Sequence, residues 1–126
     1  VRTLRQILQS GVLGPLVKVS IHLHSYARRK DWQTLRQKGG GALANWGAHA
    51  LDWCYDLFGG RVECRSSQLF QVLNPGNAED SFHLLLSAPL APVIHLEYFN
   101  CAAKPLPKWH IVGRHGTLIS GDNVFH

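Results

Sequence analysis

Four residues with the capacity for chemistry fall at a regular spacing: Asn45, His49, Asp52 and Asp56. The intervals of four, three and four place them within roughly 60° of one another on a helix turning ~100° per residue. The simplest account of such a face is the solvated side of an amphipathic helix, which ordinarily carries Lys, Glu, Gln and Arg. Between Gly41 and Gly59 there is no Lys, Arg or Glu. The polar groups are short Asn, His and Asp, with Trp46 and Trp53 close by. Short polar groups beside aromatic rings suit the wall of a partly enclosed pocket. Within that set, only His49 ordinarily titrates near neutral pH, which makes it the candidate acid/base. One turn earlier, Asn45 is placed to hydrogen-bond a substrate oxygen. Asp52, three residues after His49, suits either orienting the imidazole or simple helix-surface solvation.

Other groups are weaker candidates. His22 and His24 alternate on one strand and so share a face. His83, His95 and His110 fall on other predicted strands. Several histidines on a sheet face can bind zinc, but no spacing here enforces it, and no metal is expected. The plainer expectation is a sheet face open to solvent or packed on another subunit. Cys54, Cys64 and Cys101 are odd in number and contain no C-x-x-C, against a disulfide framework and in favour of a reducing, cytoplasmic setting. Gly39-Gly40-Gly41 does not match G-x-G-x-x-G, and no strand leads into it. It reads as a tight entry to the helix.

The elements that would position these groups follow from periodicity. Leu4, Ile7 and Leu8 predict a helix over 2–10, stopped by Gly11, with Gly14-Pro15 as a turn. Residues 16–26 alternate apolar and polar and predict a strand with one buried face. The stretch 27–38 is basic and aperiodic and reads as a loop containing Trp32. Leu43, Trp46, Ala50, Cys54, Leu57 and Phe58 form the apolar stripe of a helix over 42–58, closed by Gly59-Gly60. Short β-type runs follow at 61–72, 80–87, 93–100, 108–113 and 116–120. Gly113-Arg114-His115-Gly116 reads as a tight hairpin. One strand, one long helix and then a meander predict an α+β fold with a largely antiparallel sheet.

Composition narrows the function. The 126 residues suffice for one domain with its own core. With 45% hydrophobic and 17% charged residues, neither a disordered tail nor a membrane span is expected. The N-terminal residues lack the apolar run of a signal peptide. The net charge of +5 and the cluster Arg28, Arg29, Lys30, Arg36 and Lys38 allow an anionic ligand. Without a recognition-helix or RNA-binding motif, nucleic acid is not an expected partner.

Several segments together resemble the C-terminal domain of the Gfo/Idh/MocA oxidoreductases, relatives of glucose-fructose oxidoreductase and inositol dehydrogenase. They are Ser10-Gly11-Val12-Leu13-Gly14, Arg29-Lys30-Asp31-Trp32, the run from Gly39 to Asp52, Leu57-Phe58-Gly59-Gly60, Glu79-Asp80, and Gly113 to Leu118. The resemblance spans nearly the whole chain. It implies that residues 1–126 form an α+β substrate-binding and oligomerisation domain, an open, mostly antiparallel sheet with helices on one face. In the family such a domain follows an N-terminal Rossmann domain, not present in this sequence, that binds NAD or NADP. The resemblance implies hydride transfer from a sugar, cyclitol or related polyol, with His49 as the proton-transfer residue. Trp32, Asn45, His49 and Asp52 would contact substrate. Asn45 stands where the family usually has Asp, and an amide can hydrogen-bond but not carry the proton. A homodimer or larger oligomer through the uncovered sheet face is implied as well. Two alternatives share these residues: an NAD-dependent glycosidase on the same scaffold, and a non-catalytic dimerisation or scaffold module.

Overall fold

The computed structural model describes residues 2–25, 47–72, 79, 81–121 and 124–125. Trp32, Asn45, the 27–38 loop, the glycine triplet and the first turn of the expected long helix lie outside these residues.

Helix α1 (Arg2–Gln9) buries Leu4 completely and packs Ile7 and Leu8 against the core. Gly11 and Gly14 end and redirect it with φ of 75° and 69°, a left-handed backbone that side chains resist. Strand β1 (Leu16–His24) follows. Helix α2 (Ala48–Leu57) is the described part of the helix expected over 42–58, and Gly47 already has helical dihedrals. Gly59 and Gly60, at φ 110° and 73°, close it. The remaining strands are β2 (Glu63–Phe70), β3 (Ser81–Ala88), β4 (Ala91–Phe99), β5 (Trp109–Gly113), β6 (Thr117–Gly121) and the two-residue β7 (Val124–Phe125).

All seven strands form one sheet in the order β2-β3-β4-β1-β5-β6-β7. The α+β class and the largely antiparallel character hold, with one parallel pair, β1 on β4. The later strands are not one continuous meander. β1 is inserted between β4 and β5, so the chain must cross over the end of β1 through residues 100–108. The β3–β4 turn is also tighter than the gap between the expected runs 80–87 and 93–100. Ala88 pairs with Ala91, so only Pro89 and Leu90 turn the chain and Pro92 belongs to β4. Pro92 sits near the strand start, beside a register shift at Leu86/Ala88, where a missing N–H costs little.

Alternation sorts the side chains onto two faces. Val19 is flanked by Ile94 and Ile111, and Ile21 by Leu96 and Trp109. Leu84 and Leu86 extend the inner face on β3, and Leu118 extends it on β6. Phe82 stacks on Tyr98, ring centroids 5.7 Å apart at 10°. Ala50, Cys54, Leu57 and Phe58 from α2, and Leu4 from α1, join these residues in one core. Both helices therefore cover the same face. Arg5 of α1 pairs with Asp56 of α2 across their exposed sides. None of the described helices is long and apolar enough to cross a membrane.

The hairpin at 113–116 forms as its glycines require. The Gly113 amide donates to the Gly116 carbonyl at 2.8 Å. A Cβ on Gly113 would collide with the Leu13 carbonyl. Gly113→Ala should therefore destabilise the domain by about 1–3 kcal/mol. Ile21→Ala, which leaves a cavity between Leu96 and Trp109, should cost about 2–5 kcal/mol. Urea denaturation midpoints of both variants measure this.

Candidate functional site

Helix α2 positions the candidate groups by dividing its circumference. Ala50, Cys54 and Leu57 are buried, whereas His49, Asp52 and Asp56 are exposed. The face expected to carry polar chemistry is thus turned away from the core. Trp53 lies between the two faces and is partly buried. Its indole meets Trp109 of β5 with centroids 6.0 Å apart. At the other end of the helix, the Leu90 amide donates to the Phe58 carbonyl at 3.0 Å. α2 therefore spans the inner face from the start of β5 to the β3–β4 turn. His49 belongs to its amino-terminal half, one turn before Trp53.

His49 and Asp52 are brought onto one exposed surface. Asn45 and Trp32, expected to complete the site, fall outside the described residues. Among the described residues, two surface concavities lie elsewhere: one beside Arg61, Glu63 and Arg65, the other between Ile7, Leu13 and His115. Cys54 is sealed beneath α2, where burial pushes its thiol up to about 12. Such a thiol remains protonated and unreactive near neutral pH.

A second feature at this end of the sheet is not legible from spacing. Lys108, immediately before β5, places its ammonium 4.3 Å from the centre of the Trp53 ring. Burial lowers its pKa from the ordinary lysine value. The Lys108-Trp109 pair following Pro105 and Pro107 is the sequence signal. Its meaning depends on Trp109 pairing with Trp53, which no local pattern reveals.

The opposite sheet face carries five histidines. His24 Nε2 donates to Glu97 Oε2 at 2.9 Å, while His24 Nδ1 accepts the Leu106 amide at 3.2 Å. His83 Nε2 and His95 Nδ1 are joined at 3.2 Å. Burial lowers the His95 pKa, as do, to a lesser extent, Lys18, His83 and His22, with Glu97 opposing. Among the described residues, no group of three His, Cys, Asp or Glu is disposed to hold a metal ion.

The sequence matches the model of the GFO/IDH/MocA C-terminal domain over residues 1–119. The chain belongs to this family of oxidoreductase C-terminal domains. Solved structures agree in fold. An NAD-binding protein from Listeria innocua superposes at a TM-score of 0.83 with 24% identity, covering 92% of this chain and 33% of its own. Protein YPO2259 of Yersinia pestis gives 0.79 with 30% identity, over 94% of this chain and 33% of its own. The WlbA dehydrogenase of Bordetella pertussis, solved with NADH and UDP-GlcNAcA, gives 0.76 with 18% identity, over 94% of this chain and 36% of its own. This chain thus spans about a third of the length of each of these proteins. No curated protein matches it significantly.

Two measurements follow from the buried and half-buried groups. In the native protein a thiol reagent should modify exposed Cys64 readily and leave Cys54 unmodified until denaturant is added. A Cys54 that reacts as fast as Cys64 would contradict its burial. For His95 the folded-state pKa is depressed, so the unfolded chain binds the proton more readily. Its contribution is intact above the ordinary histidine value of 6.5 and is lost as pH falls through the depressed folded value. Urea midpoints should therefore drop less between pH 7.5 and 5.5 in His95→Gln than in the parent.

Proposed function

We propose that this chain is the substrate-side domain of an NAD(P)-dependent oxidoreductase acting on a sugar, cyclitol or related polyol. The supporting observation is the exposed α2 face. In a family of oxidoreductase domains, it offers a histidine and a carboxylate, one turn apart, on a helix otherwise without long charged side chains. Membership alone would suit an inert module; a histidine on the exposed α2 face favours chemistry.

NAD or NADP would be held mainly by the Rossmann domain that precedes this one in the family. The residues described here offer no dinucleotide cradle of their own: Gly59 and Gly60 close a helix rather than open one after a strand. When bound, the nicotinamide supplies the hydride acceptor. This chain's own residues would hold and deprotonate the alcohol. His49 takes the hydroxyl proton as the carbon–hydrogen bond yields its hydride. Asn45 donates a hydrogen bond to a substrate oxygen. Asp52 orients the His49 ring or a substrate hydroxyl, and Trp32 packs on an apolar sugar face. Alone, the domain is expected to be inactive.

The uncovered sheet face would pair two copies into a homodimer or a larger oligomer. It combines half-buried Leu85, Val112 and Phe99 with the histidines, and no described helix lies over it. Light scattering of the full-length protein should report a dimer or larger. A strict monomer at high concentration would overturn this assembly.

In the full-length enzyme, His49→Ala should lower turnover by ~10²-fold or more, the usual cost of losing a general acid/base. Asn45→Ala should cost a few-fold to ~10-fold, the worth of one hydrogen bond. Steady-state kinetics with a panel of polyols and both cofactors tests the ordering. Intact turnover in His49→Ala, with Asn45→Ala inactive, would reverse the roles.

A further inference from the structure

Residues 100–108 carry the chain from β4 to β5 across the carboxyl end of β1. Their path is fixed by four hydrogen bonds to β1 and the residue that follows it. The Ala102 amide donates to the Ser25 carbonyl at 2.8 Å, and the His22 amide to the Lys108 carbonyl at 2.8 Å. His22 Nδ1 donates to the Pro107 carbonyl at 2.8 Å, and the Leu106 amide donates to His24 Nδ1. Because His24 Nδ1 accepts, the ring proton lies on Nε2, directed at Glu97. Both imidazoles thus serve as anchors for the crossing segment. Pro105 and Pro107 remove much of its remaining freedom.

The residue this bracing delivers is Lys108. Its ammonium stands over the Trp53 indole. A lysine laid on a tryptophan is common enough as surface packing, with its charge left in water or paired with a carboxylate. Here no carboxylate among the described residues pairs with Lys108. The ammonium is also partly desolvated, which lowers its pKa. Trp53 follows His49 by four residues, so the two are neighbours along one side of α2. Helical side chains lean toward the amino terminus, so the indole covers the turn that carries His49. A cation on a braced backbone, laid on Trp53 and with no carboxylate partner among the described residues, therefore stands on the His49 side of the helix.

We propose that Lys108 is a substrate-contacting residue of the His49 site, its ammonium receiving an oxyanion, carboxylate or phosphate, carried by the sugar or polyol. The inference rests on the function proposed above and narrows its substrate class to acidic sugars. Trp53 would offer the apolar surface against which the pyranose ring or carbon chain lies, with Lys108 fixing the charged end.

The test uses the full-length protein loaded with NADH or NADPH. D-glucuronate, D-glucose 6-phosphate and D-glucose are titrated by calorimetry, with tryptophan fluorescence as a second readout at Trp53 and Trp109. At least one acid should bind ~10-fold or more tightly than glucose, the scale of one charge-assisted hydrogen bond. Which acid is preferred identifies carboxylate or phosphate as the source of the charge. Lys108→Gln should abolish the preference, lowering affinity for the acid far more than for glucose, and Lys108→Arg should retain most of it, which separates lost charge from a disturbed fold. The proposal is overturned if neither acid binds more tightly than glucose, or if the preference survives Lys108→Gln. Because this is a binding readout, it stands or falls apart from turnover: unchanged polyol oxidation in His49→Ala would count against the catalytic reading, not against the anion contact.

Discussion

The position of β1 governs this domain. It is the strand on which the two halves of the sheet meet, parallel to β4 on one edge and antiparallel to β5 on the other. Val19 and Ile21 are completely buried because each has a large apolar neighbour on both flanking strands. Without β1, the β2-β3-β4 group and the β5-β6-β7 group would each expose an edge of unpaired backbone groups, and neither would present a face wide enough to seat the helices.

The candidate site inherits its location from this arrangement. With β1 central, its carboxyl end lies between the end of β4 and the start of β5, and the 100–108 crossing must pass over it. The middle of α2 is drawn toward the same end by Trp53 packing on Trp109. The core thus sets which face of α2 is outward: burying Ala50, Cys54 and Leu57 leaves His49 and Asp52 exposed. The geometry of the candidate site is a by-product of how a helix stripe fits a sheet.

Much of this was legible in the sequence because it is local. Period-two alternation identifies the inner residues of β1 and of β3 to β6, and the glycines at 11, 59 and 60 mark turns for steric reasons that a single residue carries. The i, i+3, i+4 stripe separates the buried and exposed sides of α2. Neighbour order is a different matter. Alternation says which face a side chain occupies but not which strand lies alongside, so the insertion of β1 and its parallel pairing with β4 are invisible in the pattern. The same holds for Lys108, whose partner Trp53 is brought near only by tertiary packing. Pro92 misleads because proline is read as a strand breaker, whereas at the start of β4, beside a register shift, it is tolerated. Trp32 and Asn45 lie beyond the described residues.

The pairing of Val19 with Ile94 and Ile111 also bears on how the domain acquires its structure. Contacts so distant in sequence must overcome a large loop-closure entropy before they repay it, which slows folding relative to helical domains of similar size. During synthesis β1 emerges well before Ile94 and Ile111, and its apolar face waits for them. The local hairpins, β3–β4 and β5–β6, have no such delay. Docking of β1 between them is therefore the step on which cooperative folding turns, and the interval before it is when the chain is most exposed to mispairing with another copy of itself.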